Sequence, residues 1–145
     1  MASGGAYQAI KAAVASATGG AYTVLDWEEA RPSAINGETP WLAVEDGGGS
    51  EALRSIGSPA EARFEERGLI TVHVYVPTFA SIGDARAIVD MLRDALRYTS
   101  LTSGSDRITI ETCGPAQPSD LHEGVWSEVE FDIVYVNRFT RPVAA

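Results

Sequence analysis

The most regular stretch of the chain is Leu69 to Val76, where Ile70, Val72, Val74 and Val76 alternate with Leu69, Thr71, His73 and Tyr75. A period of two in β-branched residues predicts a strand with one face fully buried. Phe64 continues the even-numbered set, so the strand can begin as early as Ala62, and Pro77 ends it. A second alternating run covers Val125 to Val136. Val125, Val129, Phe131, Ile133 and Tyr135 share one face of it, and Trp126, Glu128, Glu130 and Asp132 share the other. Between the two runs, Ile82, Ala85, Ile88, Val89, Leu92, Ala95 and Leu96 recur at helical spacing. They predict a helix from about Ser81 to Tyr98, with Ser81 as N-cap and the charged residues on the far side.

Weaker patterns fill in the rest. Tyr7, Ile10, Val14 and Ala17 form one face of an Ala-rich helix that Gly19 and Gly20 stop. Tyr22–Trp27 and Trp41–Val44 read as short strands, separated by a loop that contains Pro32, Gly37 and Pro40. The three glycines within Asp46 to Ser50 predict a turn or flexible tip. Residues 51–60 read as a weak edge strand or ordered arm, which makes 46–61 a candidate flexible arm. Ser100–Asp106 reads as a polar loop, Ile108–Glu111 as a short strand, Gly114–Glu123 as a Pro-containing loop, and 138–145 as a loose or docking tail. Strands and helices do not alternate regularly. The expected fold is therefore α+β, a mainly antiparallel sheet packed against two helices, with residues 1–145 forming a single domain.

Composition narrows the function more than the fold. A chain of 145 residues can bury about 70% of its unfolded surface and needs no disulfide or metal to hold it together. One cysteine, Cys113, rules out an intrachain disulfide and suits a reducing compartment. The net charge is −9, and Lys11 is the sole lysine beside ten arginines. That balance argues against a basic grip on nucleic acid. Residues 1–20 carry no continuous apolar segment of the signal-peptide kind, and no apolar run approaches the roughly 20 residues of a membrane helix. The expectation is a soluble cytosolic chain without membrane association.

Catalytic chemistry finds little support. His73 and His122 have no ligand spacing between them, and a metal site needs three or four clustered ligands, so no metal or cofactor is expected. Cys113 has no base beside it in sequence, although His73 or His122 could approach it in space. The glycines at 47–49 lack the Gly-Lys-Ser/Thr ending of a phosphate loop. Glu128, Glu130 and Asp132 form an acidic stripe, read as a solvated face or as a functional electrostatic surface, such as the wall of a channel. Trp27, Trp41 and Trp126 are core or interface anchors. Arg54, Arg63 and Arg67 are further candidate interface residues.

These features in this order resemble the tail terminator-like proteins of long-tailed bacteriophages and gene transfer agents. The resemblance covers roughly residues 6–137. It rests on the Tyr7-Gln8-Ala9-Ile10 helix, the Trp-containing strand Val24 to Glu28 and the short strand Pro40 to Val44. It rests further on Arg67-Gly68-Leu69-Ile70-Thr71-Val72-His73-Val74-Tyr75-Val76-Pro77, on the Gly83 turn into the helix from Ala85 to Tyr98, and on Gly124-Val125-Trp126 with the strand Glu128 to Val136. Residues 47–60 depart from the pattern. The resemblance implies a non-catalytic virion protein at the head-proximal end of the tail, made in the host cytoplasm and forming a ring, expected to be hexameric. Its implied partners are copies of itself, the major tail tube protein and a head–tail connector or stopper protein. DNA would pass through the lumen without specific binding, along a wall formed by the acidic stripe. Two alternatives stay open: another neck component, such as a head-completion or stopper protein, and a small cytosolic enzyme using Cys113 or His73.

Overall fold

A computed structural model of the protein describes residues 4–29, 40–56, 62–77, 82–118 and 126–141. The chain runs α1 (Gly4–Ala17), β1 (Thr23–Asp26), one turn of 3-10 helix (Trp27–Glu29), β2 (Trp41–Ile56), β3 (Ala62–Pro77), α2 (Ile82–Leu96), β4 (Ser100–Ser103), β5 (Asp106–Cys113), β6 (Gln117–Pro118) and β7 (Trp126–Arg141). The strands form one sheet in the order β1-β2-β3-β7-β5-β4, with β6 also on β7. Among the described residues β1 and β2 alone pair in parallel; the other pairings are antiparallel. The fold is thus α+β.

Both helices lie on one face of the sheet. Ala6, Ile10 and Val14 of α1 and Ala85, Val89, Leu92 and Leu96 of α2 pack over Leu42, Val44, Ile70, Val72, Val74, Val129, Phe131, Ile133, Ile108 and Ile110. Each Val, Leu, Ile or Phe side chain contributes about 1.5–3 kcal/mol when fully buried, so this layer holds the fold together. The even-numbered residues of β3 and the odd-numbered residues of β7 are its centre, as their alternation requires. Ala95, expected on the buried face of α2, is exposed.

Four expectations need correction. Residues 46–50 are not a turn: β2 runs straight through them, pairing with β3 from Trp41↔Tyr75 to Ile56↔Ala62, with a register shift between Asp46 and Gly49. Gly48 takes φ +90° there and donates its N–H to Asp46 Oδ1 at 2.8 Å. A Cβ on Gly49 would come within 2.6 Å of the Arg67 carbonyl oxygen. The glycines therefore build a β-bulge inside a long strand, not a tip. Secondly, 100–106 is a hairpin, not a loop. Ser103 pairs with Asp106 across a two-residue connection where Gly104 has φ +61°. Thirdly, Gln117–Pro118 pairs with β7 inside the expected Pro-containing loop. Fourthly, 138–141 is not loose, because β7 pairs with β3 as far as Arg141↔Ala62. In the first three segments strand pairing orders a stretch whose local composition favours a turn, and in the fourth it orders part of the expected tail. Residues 57–61, 119–125 and 142–145, parts of the expected arm, loop and tail, lie outside the described residues, as does Ser81.

Candidate functional site

The face of the sheet away from the helices carries the odd-numbered residues of β2 as far as Glu45, the odd-numbered residues of β3 and the even-numbered residues of β7. Register places Trp41, Tyr75 and Glu128 in one row, Ala43, His73 and Glu130 in the next, and Glu45, Thr71 and Asp132 in a third. Diagonal neighbours on such a face are within reach of long side chains. His73 uses both diagonals. Its Nε2 lies 2.7 Å from Glu45 Oε2, and its Nδ1 contacts Glu128 Oε1 and lies 3.3 Å from Glu130 Oε2. The indole of Trp27 stacks on the imidazole at 4.0 Å between ring centroids. Beside it Trp41 and Tyr75 stack at 4.1 Å, and with Ala43, Leu25 and Trp27 they form a small second apolar cluster.

The acidic stripe is therefore graded. Asp132 is exposed and accepts a hydrogen bond from Thr71 Oγ1 at 2.8 Å. Glu130 is half-buried. Glu128, expected on a solvated surface, is 1% exposed. Glu128 stands opposite Tyr75, a member of the second cluster, and diagonal to His73, whose Nδ1 it contacts. Burial would push the His73 pKa down, but its hydrogen bonds to Glu128 and Glu45 outweigh that and hold it above the ordinary value. Burial raises the Glu130 pKa; His73 opposes the rise, while Glu128, Asp132 and Glu45 add to it.

Further along the same face the character changes. Arg67 pairs with Glu65 at 3.1 Å and with Glu111 at 3.3 Å, and Arg138 pairs with Glu65 at 3.3 Å. At this end Arg63, Arg107, Arg138, Phe64 and Phe139 border a cleft of about 540 Å³. One end of the sheet is thus acidic and the other rich in arginine.

Among the predicted site residues, Trp41 is fully buried and Trp27 half-buried, while Arg63 and Arg67 are exposed. Trp126 and Arg54 occupy strand positions opposite Pro77 and beside the second register shift of β2, and their side chains lie outside the described residues. Cys113 is buried in the helix-side core, on the opposite face from His73, and burial raises its pKa. His73 and Cys113 thus do not form a nucleophile–base pair. His122 lies outside the described residues. Sequence reasoning missed Glu45 as a partner of His73; its matching parity on a neighbouring strand was the available signal, and using it required the strand pairing.

No known protein-family profile matches the sequence, and no curated protein matches it. Solved structures do. One chain without a descriptive name aligns over 91% of this protein and 89% of its own length, at TM-score 0.56 and 15% identity. A chain in the virion of a native gene transfer agent particle aligns over 94% of this protein and 92% of its own length, at TM-score 0.50 and 21% identity. Likeness at these identities establishes a shared fold across nearly the whole chain.

Proposed function

We propose that the protein is a structural component of a phage-type or gene transfer agent particle, and specifically a tail terminator. In this reading copies of the chain form a ring, hexameric by analogy, at the head-proximal end of the tail. The ring ends tail polymerisation, meets the major tail tube protein on one side and a connector or stopper on the other, and lets DNA pass. The observation that carries the reading is the near full-length likeness to a chain of a gene transfer agent virion.

Several physical features support assembly. A ring requires head-to-tail interfaces that close by rotation. The long β2–β3 hairpin, with strands of 16 residues each, supplies an extended surface with Arg63 and Arg67 exposed on it. The acidic end of the helix-free face suits a lumen wall, because negative surfaces do not hold phosphates. Glu130 and Asp132 are its accessible members. Glu128 is buried against His73 and takes no part in that wall.

The test has two parts. Light scattering on the concentrated protein, and electron microscopy of the protein mixed with tail tubes, should find rings of about six copies or tubes capped at one end. A monomer that leaves tube ends bare would overturn the terminator reading. In assembled particles, Asp132→Lys should preserve folding and ring formation but cut DNA delivery. Unchanged delivery would move the lumen wall elsewhere.

A further inference from the structure

We propose that His73 Nδ1, Glu128 and Glu130 form a binding site for one divalent transition-metal ion of the zinc class, with Glu45 orienting the imidazole. The three donor atoms lie within 4.8 Å of one another. Nitrogen and oxygen ligands about 2.0–2.2 Å from a shared ion stand roughly 3–3.5 Å apart. The distance from His73 Nδ1 to Glu130 Oε2 is already 3.3 Å.

The orientation of the ring is the central point. Metal-bound histidines regularly donate their second ring N–H to a carboxylate, which fixes the tautomer. Here Nε2 lies 2.7 Å from Glu45 Oε2. Without an ion, Nδ1 carries a proton toward Glu128. When an ion displaces that proton, Nε2 keeps its own on Glu45 and the Nδ1 lone pair faces the oxygens of Glu128 and Glu130. A cation at their centre relieves all three contacts at once, whereas a proton on Nδ1 can be donated well to only one of the two carboxylates.

Burial distinguishes this set from an ordinary acidic surface. His73 and Glu128 are 4% and 1% exposed, and unbalanced charge is costly there. Trp27 covers one side of the ring and holds its plane. Glu130 is only half-buried, which leaves an approach for the ion and room for a water to complete its shell. One imidazole and two carboxylates suit Zn²⁺, Co²⁺, Mn²⁺ or Fe²⁺. The set is a poorer match for Mg²⁺ and Ca²⁺, which prefer all-oxygen shells.

The experiment uses the full chain, stripped with a chelator and returned to neutral buffer. Titration with Zn²⁺ by calorimetry and with Co²⁺ by visible absorption should saturate at one equivalent, and Zn²⁺ should raise Tm. His73→Gln and Glu128→Gln should each weaken binding by about tenfold or more, and Glu45→Gln by about 10–100-fold. Asp132→Asn, beside the cluster, should leave affinity unchanged. If a core variant does not fold, Glu130→Gln at the exposed side should show the same loss. Lack of saturable binding by the wild-type chain would overturn the proposal, as would unchanged affinity in folded His73→Gln or Glu130→Gln protein, which would place the ion at another group.

Discussion

The two faces of one sheet are built on opposite terms. The helix-covered face is an apolar layer in which β3 presents Ile70, Val72 and Val74, and β7 presents Val129, Phe131 and Ile133. The same two strands turn His73, Tyr75, Glu128 and Glu130 to the other side. There burial is just as deep around His73 and Glu128, but polar contacts and stacked rings accompany it. On the first face area removed from water supplies the stability, and any apolar side chain of the right volume serves. On the second face each group depends on a named partner, so its energetics lie in what is left when that partner goes.

The largest effect expected is on the covered face. Phe131 is 1% exposed, and Phe131→Ala should cost about 3–5 kcal/mol in denaturant unfolding through lost burial and the cavity left behind. A cost under about 1 kcal/mol would mean that the layer is loosely packed, against the interior density expected of a core.

On the opposite face, Glu128→Ala in metal-free protein should cost about 1–3 kcal/mol, less than Phe131→Ala, because His73 can shed its proton once its partner is gone. The contrast sharpens in the double variant His73→Phe with Glu128→Leu. Replacing a buried charged pair with apolar groups is often neutral or stabilising, so the double variant should regain most of the loss. If it instead unfolds like Phe131→Ala, the polar set contributes more than its pairing. If it folds but no longer binds Zn²⁺, stability and ion binding are separable.

The same contrast explains what the sequence could disclose. Alternation in Leu69–Val76 and the helical spacing of Ala85, Val89, Leu92 and Leu96 identified the covered layer, because apolar periodicity is a local signal. It also assigned Glu128, Glu130 and Asp132 correctly to one face. It could not say what else covers that face. His73 meets Glu45 across 28 positions and Glu128 across 55, and only the register of three strands brings them together. The bulge at Asp46–Gly49 misled for a related reason. Glycines favour turns locally, and only pairing along β3 makes a 16-residue strand of β2. Polar Ser100–Ser103 is likewise held by its partner β5 and not by its own propensity.

The smallest effect expected lies where the helix layer meets the sheet edge. The hydroxyl of Tyr7, on α1, donates to Asp26 at the end of β1 and lies 3.1 Å from the carbonyl of Val44, and Lys11 Nζ stands 3.0 Å from Asp26. The hydrogen bond from Tyr7, then that from Lys11, holds the Asp26 carboxyl below its ordinary value of 3.8. A carboxyl lowered in the folded state stabilises the protein above its unfolded pKa, and that contribution is lost as pH falls through the folded value. The Asp26 side chain is 29% exposed, so solvent screens the pair and the effect is modest. Asp26→Asn should cost about 1 kcal/mol at neutral pH. The gap between variant and wild type should close as pH drops below the ordinary carboxylate range. A gap that persists in acid would show that shape, not charge, joins α1 to β1, and the edge would then behave like the covered face.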